Sequence, residues 1–284
     1  MTRITKAVIP AAGLGTRFFP LTKSMPKEML PVVHKPVIHY VVEEAVQSGI
    51  TDILIITGKG KRAIEDYFDH MENETANEFL EELEALLNSV NIFYVRQRSL
   101  RGLGDAISYA ESFIDEEPFA VLLGDTITTP PCVEELIACY QKCHSSVIAV
   151  EKVPLSMVGH YGIVSGQFLD EETLMVEDLI EKPEPSESPS DLAILGTYLL
   201  TPAIMDCIGK TEPGKNGEIQ LTDALKHLKK EEPLYAHLYR GKRYDIGNKT
   251  DWLKANIDLG MKDPIVGKEI QAACREWCRQ NECE

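Results

Sequence analysis

Two glycines, an arginine and a lysine stand together near the start of the chain. They are Gly13, Gly15, Arg17 and Lys27, within Pro10 to Pro31, which reads PAAGLGTRFFPLTKSMPKEMLP. Such a set can hold phosphate. Glycines allow close approach and positive φ, so successive backbone N–H groups can converge on one anion. Arg17 adds a planar charged fork and Lys27 a mobile point charge.

Three other anion or hydrolase motifs fail on particular residues. A dinucleotide fingerprint needs a third glycine where Phe18 stands. A Walker loop needs a glycine before the lysine, and Thr22-Lys23-Ser24 has none. A serine–lysine pair from Ser24 and Lys27 is spaced for one helical turn, which Pro26 breaks.

The elements that must position these groups alternate between strand and helix as far as Val150. Strands are predicted at Ala7–Ile9, Ile53–Ile56, Ile92–Val95, Phe119–Leu123 and Val147–Val150. Their continuous apolar runs fit strands covered on both faces of a parallel sheet. Helices are expected at Pro36–Ser48, with Pro36 at the first helical position, and at Lys61–His70, Glu78–Asn88, Asp105–Ile114 and Val133–Cys143. Repeated strand–helix units make an α/β, doubly wound, mainly parallel sheet, whose ligands sit beyond the carboxyl ends of the strands. After Val150 the pattern changes. Strands from about Gly162 to Leu200 alternate with acidic, proline-rich turns, as a small antiparallel extension would. A helix over Ile219–Lys230, a strand near Tyr235–Tyr239 and two terminal helices complete the reading. The whole is taken as one domain in three parts, 1–150, 151–250 and the C-terminal helices of 251–284, the first two of which the resemblance described below makes a nucleotide-binding and a sugar-binding part.

A net charge of −16 argues against nucleic acid as a partner while leaving room for a locally basic loop. No apolar run approaches a membrane span or a signal-peptide core, so a cytoplasmic enzyme is expected. Cys139-x₃-Cys143-His144 and Cys274-x₃-Cys278-x₄-Cys283 lack the paired C-x₂-C spacing of zinc sites and read as reduced thiols. The sequons at Asn73 and Asn248 read as accidental.

The G-x-G-T-R loop followed by Lys27-Glu28-Met29-Leu30-Pro31 resembles the sugar-1-phosphate nucleotidyltransferases, in particular the bacterial-type UTP–glucose-1-phosphate uridylyltransferases. The resemblance continues through Val41–Ala45, Thr57-Gly58 with Lys61–Asp66, Gln97 with Gly102-Leu103-Gly104, Tyr161-Gly162, Glu181-Lys182-Pro183 and Gly217–Asp223. About the last 30 residues lie outside it.

That resemblance implies a Rossmann-like nucleotidyltransferase fold and transfer of a uridylyl group from UTP to glucose 1-phosphate, with Mg²⁺ as cofactor. Arg17, Lys27 and Lys182 would handle phosphates. Ala12, Gly13, Gly15, Glu28, Gln97 and Gly102 would line the nucleotide. For Gln97 a carboxamide could donate to uracil O4 and accept from N3–H. Gly162, Glu181 and Gly196 would line the sugar, and Asp125 and Asp245 would hold the metal, whose hard-oxygen preference suits two carboxylates. Glu181 and Lys182 present a tension, because adjacent strand residues point to opposite faces. Some positions depart from the family pattern: Gly124 and Thr126 flank Asp125, Asp105 stands where a histidine is usual, Thr197 replaces an arginine and Ile246 a cysteine. A thymidylyltransferase making dTDP-glucose and a non-catalytic nucleotide-sugar sensor remain alternatives. Expected partners are the two small substrates and further copies of the chain in a homo-oligomer.

Overall fold

The computed structural model describes residues 3–70, 77–214 and 217–281. Asn73 and Cys283, noted above, lie outside the described residues. The first half contains strands β1 (Lys6–Pro10), β2 (Pro31–Val32), β3 (Lys35–Pro36), β4 (Asp52–Thr57), β5 (Asn91–Arg96), β6 (Phe119–Leu122), β7 (Thr126–Thr129) and β8 (Val147–Lys152). Between them run helices α1 (Val37–Gln47), α2 (Arg62–Tyr67), α3 (Glu78–Leu87), α4 (Leu103–Ser108), α5 (Glu111–Ile114) and α6 (Val133–Cys143). The second half adds β9 (Gly162–Phe168), β10 (Thr173–Glu181), β11 (Leu192–Leu200), β12 (Tyr235–Leu238) and β13 (Lys242–Asp245). Its helices are α7 (Ala203–Lys210), α8 (Leu221–Glu231), α9 (Lys249–Gly260) and α10 (Gly267–Gln280).

Among the described residues, nine strands form one mixed sheet in the order β5-β4-β1-β6-β11-β8-β12-β10-β9. The first four run parallel. Their carboxyl ends therefore set the loops after β1, β4, β5 and β6 side by side along one edge. Alternate residues of these strands feed opposite cores. Val8, Leu54 and Val121 pack on one face against Ala106, Ile107 and Ile114, while Ala7, Ile9, Ile53 and Ile55 pack on the other against Ile38, Val41 and Val42 of α1.

The antiparallel part is continuous with the parallel part rather than a separate layer. β11, buried along its whole length, lies antiparallel between β6 and β8. β11 thus separates β8 from the parallel strands. β5 departs in another way: it is the sheet edge, with Phe93 and Tyr94 exposed, and is not covered on both faces.

Helix ends also differ from expectation. Pro36 pairs with Pro31 in the short β2–β3 ribbon and caps α1 rather than opening it. The segment expected as one helix over Asp105–Ile114 is two, and the first begins at Leu103. Glu44 of α1 caps a different helix, accepting from the backbone N–H groups of Cys132 (2.8 Å) and Val133 (3.1 Å) and from the Thr128 hydroxyl (2.7 Å). Asn248 caps α9 by accepting from the Asp251 N–H at 2.8 Å, which gives its side chain a structural task. No helix among the described residues is long and apolar enough to cross a membrane.

Candidate active site

The glycine loop follows β1. Gly15 adopts φ +65°, in the left-handed region, and its carbonyl accepts from the Thr22 hydroxyl at 2.7 Å. Lys27 folds back under the loop: a Cβ on Gly13 would lie 3.6 Å from its Nζ, and one on Gly15 would lie 3.1 Å from its Cβ. The loop is anchored by Phe18 and Leu30, buried with Ile127, Tyr244, Ile246 and Ala255. Ile246 is thus a packing residue, an apolar answer to the space beside the loop. Arg17 is exposed and has no ion-pair partner among the described residues, so its guanidinium is available to an anion.

Asp125 follows β6 and Asp245 ends β13, and pairing of β7 with β13 joins them, with Asp245 opposite Thr126. The Ile246 N–H donates to the Asp125 carbonyl at 2.9 Å. A Cβ on Gly247 would lie 2.6 Å from Asp245 Oδ1 and 3.2 Å from Asp125 Oδ2, so only glycine leaves both carboxylates room at this corner. Lys27 Nζ is ion-paired with Asp125 Oδ2. Burial opposes ionisation of Asp125, but the Lys27 charge and hydrogen bond outweigh it and hold the carboxyl below its usual range. Lys27 is raised: burial acts against its charge, and Asp125, Glu28 and Asp245 overcome it. Asp245 is raised by burial and by the negative charge of Asp125. Lys27 thus offsets the charge of both carboxylates, more strongly that of Asp125, and two carboxylates at one corner are the type of oxygen donor that suits a hard divalent cation.

Glu28 is fully buried, with Oε2 2.6 Å from Lys61 Nζ. Burial pushes Glu28 up and Lys61 down, and their mutual attraction works against both shifts. Glu28 Oε1 is buried without a hydrogen-bond partner among the described residues. Lys61 was no candidate from sequence, although it stands in the stretch Lys61–Asp66 that carried the resemblance. Ala12 is buried beside Gly58, where a Cβ would come within 2.9 Å of the Ala12 carbonyl, so the loops after β1 and β4 are in contact.

Gln97 leaves β5, tied by its backbone N–H to the Thr57 carbonyl at 2.9 Å. Its amide nitrogen donates to Asp105 Oδ2 at 2.7 Å, and Arg101 Nη2 holds the other Asp105 oxygen at 2.6 Å. Its other amide N–H points at the Gly102 carbonyl, 3.4 Å away, so the donation to uracil O4 expected of Gln97 has to compete with both acceptors. Gly102, at φ +100°, and Gly104 also have a reason of their own: a Cβ would meet the Ile219 carbonyl at 2.6 and 2.9 Å. Their missing side chains admit the 218–219 segment.

Glu181 ends β10 opposite Gly162 of β9. Glu181 Oε2 accepts from the Thr222 hydroxyl at 2.7 Å, and Lys182 Nζ lies 2.8 Å from Glu181 Oε1. A Cβ on Gly162 would lie 2.8 Å from that hydroxyl and 2.9 Å from Ile194 Cδ1. Thr222 was missed as a site neighbour, since nothing in spacing alone joins residues 41 apart. Gly196 sits in the irregular stretch of β11 between Ile194 and Tyr198 at φ +104°, where a Cβ would strike Leu123 Cδ1 at 2.7 Å. Its glycine is required by that bulge.

The nucleotidyl transferase family profile matches residues 6–261 of the chain. The chain belongs to the nucleotidyl transferase family. It is 45% identical to a UTP–glucose-1-phosphate uridylyltransferase of Staphylococcus epidermidis over 97% of its own length and 99% of that protein. The fold superposes on a UDP-glucose pyrophosphorylase solved with UDP-glucose at TM-score 0.88 and 42% identity, covering 92% of this chain and all of that one. A UTP-bound UGPase from Acinetobacter baumannii matches at TM-score 0.87 and 36% identity, over 96% of this chain and 99% of that one. Helix α10 lies beyond the family match.

Proposed function

We propose that the enzyme transfers a uridylyl group from UTP to glucose 1-phosphate, releasing pyrophosphate and UDP-glucose. The observation that carries this reading is the corner where Asp125, Asp245 and Lys27 meet beneath the glycine loop. Relatives of this length and identity are uridylyltransferases, which favours UTP over dTTP and disfavours a non-catalytic sensor.

The phosphate of the sugar is already anionic at neutral pH, its second pKa being about 6. No protein nucleophile is needed. What opposes reaction is repulsion between two anions and the need for alignment, so positioning and charge supply the catalysis. Arg17 and Lys27 contact the triphosphate and offset charge on the departing pyrophosphate, with Ala12, Gly13 and Gly15 presenting backbone N–H groups beside it. Glu28, through its free Oε1, and Gln97 line the base end. Glu181 accepts from sugar hydroxyls, and Lys182 steadies the sugar phosphate, which Gly162 lets approach the backbone. Asp125 and Asp245 would hold Mg²⁺, whose charge offsets that of the phosphate oxygens when it is bound.

Among the described residues, the two carboxylates have no third His, Cys, Asp or Glu to complete a protein-only cage. That suits Mg²⁺, which takes few protein ligands and shares substrate oxygens. The decisive assay sets the purified chain with Mg²⁺ against UTP, dTTP, CTP and ATP, each with glucose, galactose and N-acetylglucosamine 1-phosphates, and reads pyrophosphate. Strongest release with UTP and glucose 1-phosphate is expected; a maximum with another pair rejects the assignment.

A further inference from the structure

The Gln97 carboxamide is not free to turn. Its nitrogen lies 2.7 Å from Asp105 Oδ2 and 3.4 Å from the Gly102 carbonyl. Asp105 is itself salt-bridged, with Oδ1 2.6 Å from Arg101 Nη2. Both neighbours of the amide nitrogen are acceptors. An amide oxygen in its place would face two other oxygens, so the donor end is compelled to point at them. Gln97 is 4% exposed and Asp105 2%, so the contact between them is buried. With its N–H groups directed at Asp105 and Gly102, Gln97 has only Oε1 to offer a ligand.

We propose that Asp105 is a positioning residue for base selection: it holds the Gln97 nitrogen and so makes Gln97 an acceptor-only reader of the base edge. This rests on the assignment of Gln97 to the base end of the site given above. Uracil and thymine carry an N–H at N3 and satisfy such an acceptor. Cytosine carries a lone pair at N3, and oxygen against a lone pair is repulsive and cannot be hydrated in a buried site. A glutamine able to make a half-turn could serve either base, donating to one and accepting from the other. Asp105 removes that freedom. The selection is between pyrimidines with and without an N3–H, and it is made by a side chain that does not itself touch the base.

Arg101 fits the same scheme. It spans one turn to Asp105 and orients the carboxylate so that one oxygen is left for Gln97. Asp105 lies in the first turn of α4, where a negative side chain is favoured by the helix dipole. The arrangement thus holds the selecting group through two buried contacts and one surface cation.

The test compares the wild-type full chain with Asp105→Asn, measuring kcat and KM for UTP and CTP at saturating glucose 1-phosphate. Asparagine keeps the shape but can turn either its oxygen or its nitrogen to Gln97, which frees the amide to flip. The UTP-to-CTP ratio of kcat/KM is expected to fall about tenfold or more, the size of one lost polar discrimination. The loss should appear in KM for UTP, with KM for glucose 1-phosphate unchanged. An unchanged ratio in a variant that unfolds at the wild-type temperature overturns the inference, as does an equal loss for both nucleotides carried by kcat. Should Asp105→Asn fail to fold, Asp105→Ser removes the same acceptor and carries the same expectation. A wild-type chain inactive on UTP overturns the uridylyltransferase reading and this inference with it. Wild-type activity on UTP with an unaltered ratio in the variant overturns this inference alone.

Discussion

Lys182 Nζ lies 2.8 Å from Oε1 of Glu181, its neighbour in the chain, because Lys182 leaves β10 at φ +47°. Regular strand geometry would send the two side chains to opposite faces. The left-handed turn, held by the Lys182 N–H donating to the Tyr161 carbonyl at 2.9 Å and followed by Pro183, brings both to one side. A lysine in that conformation is strained, and strain of this kind persists where the surroundings over-determine it.

Stability and activity should therefore part at this position. Lys182→Gly relieves a left-handed backbone worth about 1 kcal/mol while removing the charge proposed to steady the sugar phosphate. We expect a thermal midpoint at or above wild type, with kcat/KM for glucose 1-phosphate reduced about a hundredfold or more. A variant that is both less stable and fully active would contradict this account of the turn.

Asp125→Asn preserves shape and removes the charge that faces Lys27 and Asp245. Pyrophosphate release should fall about a thousandfold, with circular dichroism unchanged. Chelation of divalent cations should abolish wild-type turnover, and added Mg²⁺ should restore it. Near-wild-type release by the variant would sink the metal assignment to this corner.

Glu44 serves stability alone. Its carboxylate accepts from two backbone N–H groups at the start of α6 and from Thr128, in a buried place where burial raises its pKa. Glu44→Ala leaves those donors unmet and should cost about 3 kcal/mol in denaturant unfolding, with KM for both substrates unchanged. A loss below about 1 kcal/mol would show that water replaces the carboxylate.

His39 predicts a pH dependence. It is buried, 2.9 Å from the Tyr67 hydroxyl, and burial with the nearby charges of Lys35 and His34 lowers its pKa to about 4. Between that value and the unfolded value of about 6.5, the unfolded chain binds the extra proton. Stability is then complete above about pH 6.5 and lost as pH falls towards 4, by up to about 3 kcal/mol. His39→Gln should flatten the slope in that window; an identical slope in both proteins would assign the loss to other groups.

Much of the candidate site's composition was legible in residue order because its parts are local. The glycine loop, its cations and Asp125 just beyond β6 depend on short-range chemistry: glycine conformations, fixed charges and the rule that ligands sit at the carboxyl ends of parallel strands. The apolar runs located β1, β4, β6 and β8, but such runs do not state which strands become neighbours. Hence the insertion of β11 between β6 and β8, and the exposure of β5 at the edge, were not foreseeable.

Amino-acid order thus decided the inventory of the candidate site, a glycine loop with its cations, two carboxylates and the Glu181–Lys182 pair, since each is a matter of residue type and local spacing. Tertiary structure decided their roles. Pairing of β7 with β13 set Asp245 against Asp125, the left-handed turn set Lys182 against Glu181, and the buried contact with Asp105 took the donor of Gln97. Each of these depends on the position or orientation of a hydrogen-bonding group, which only the folded backbone fixes.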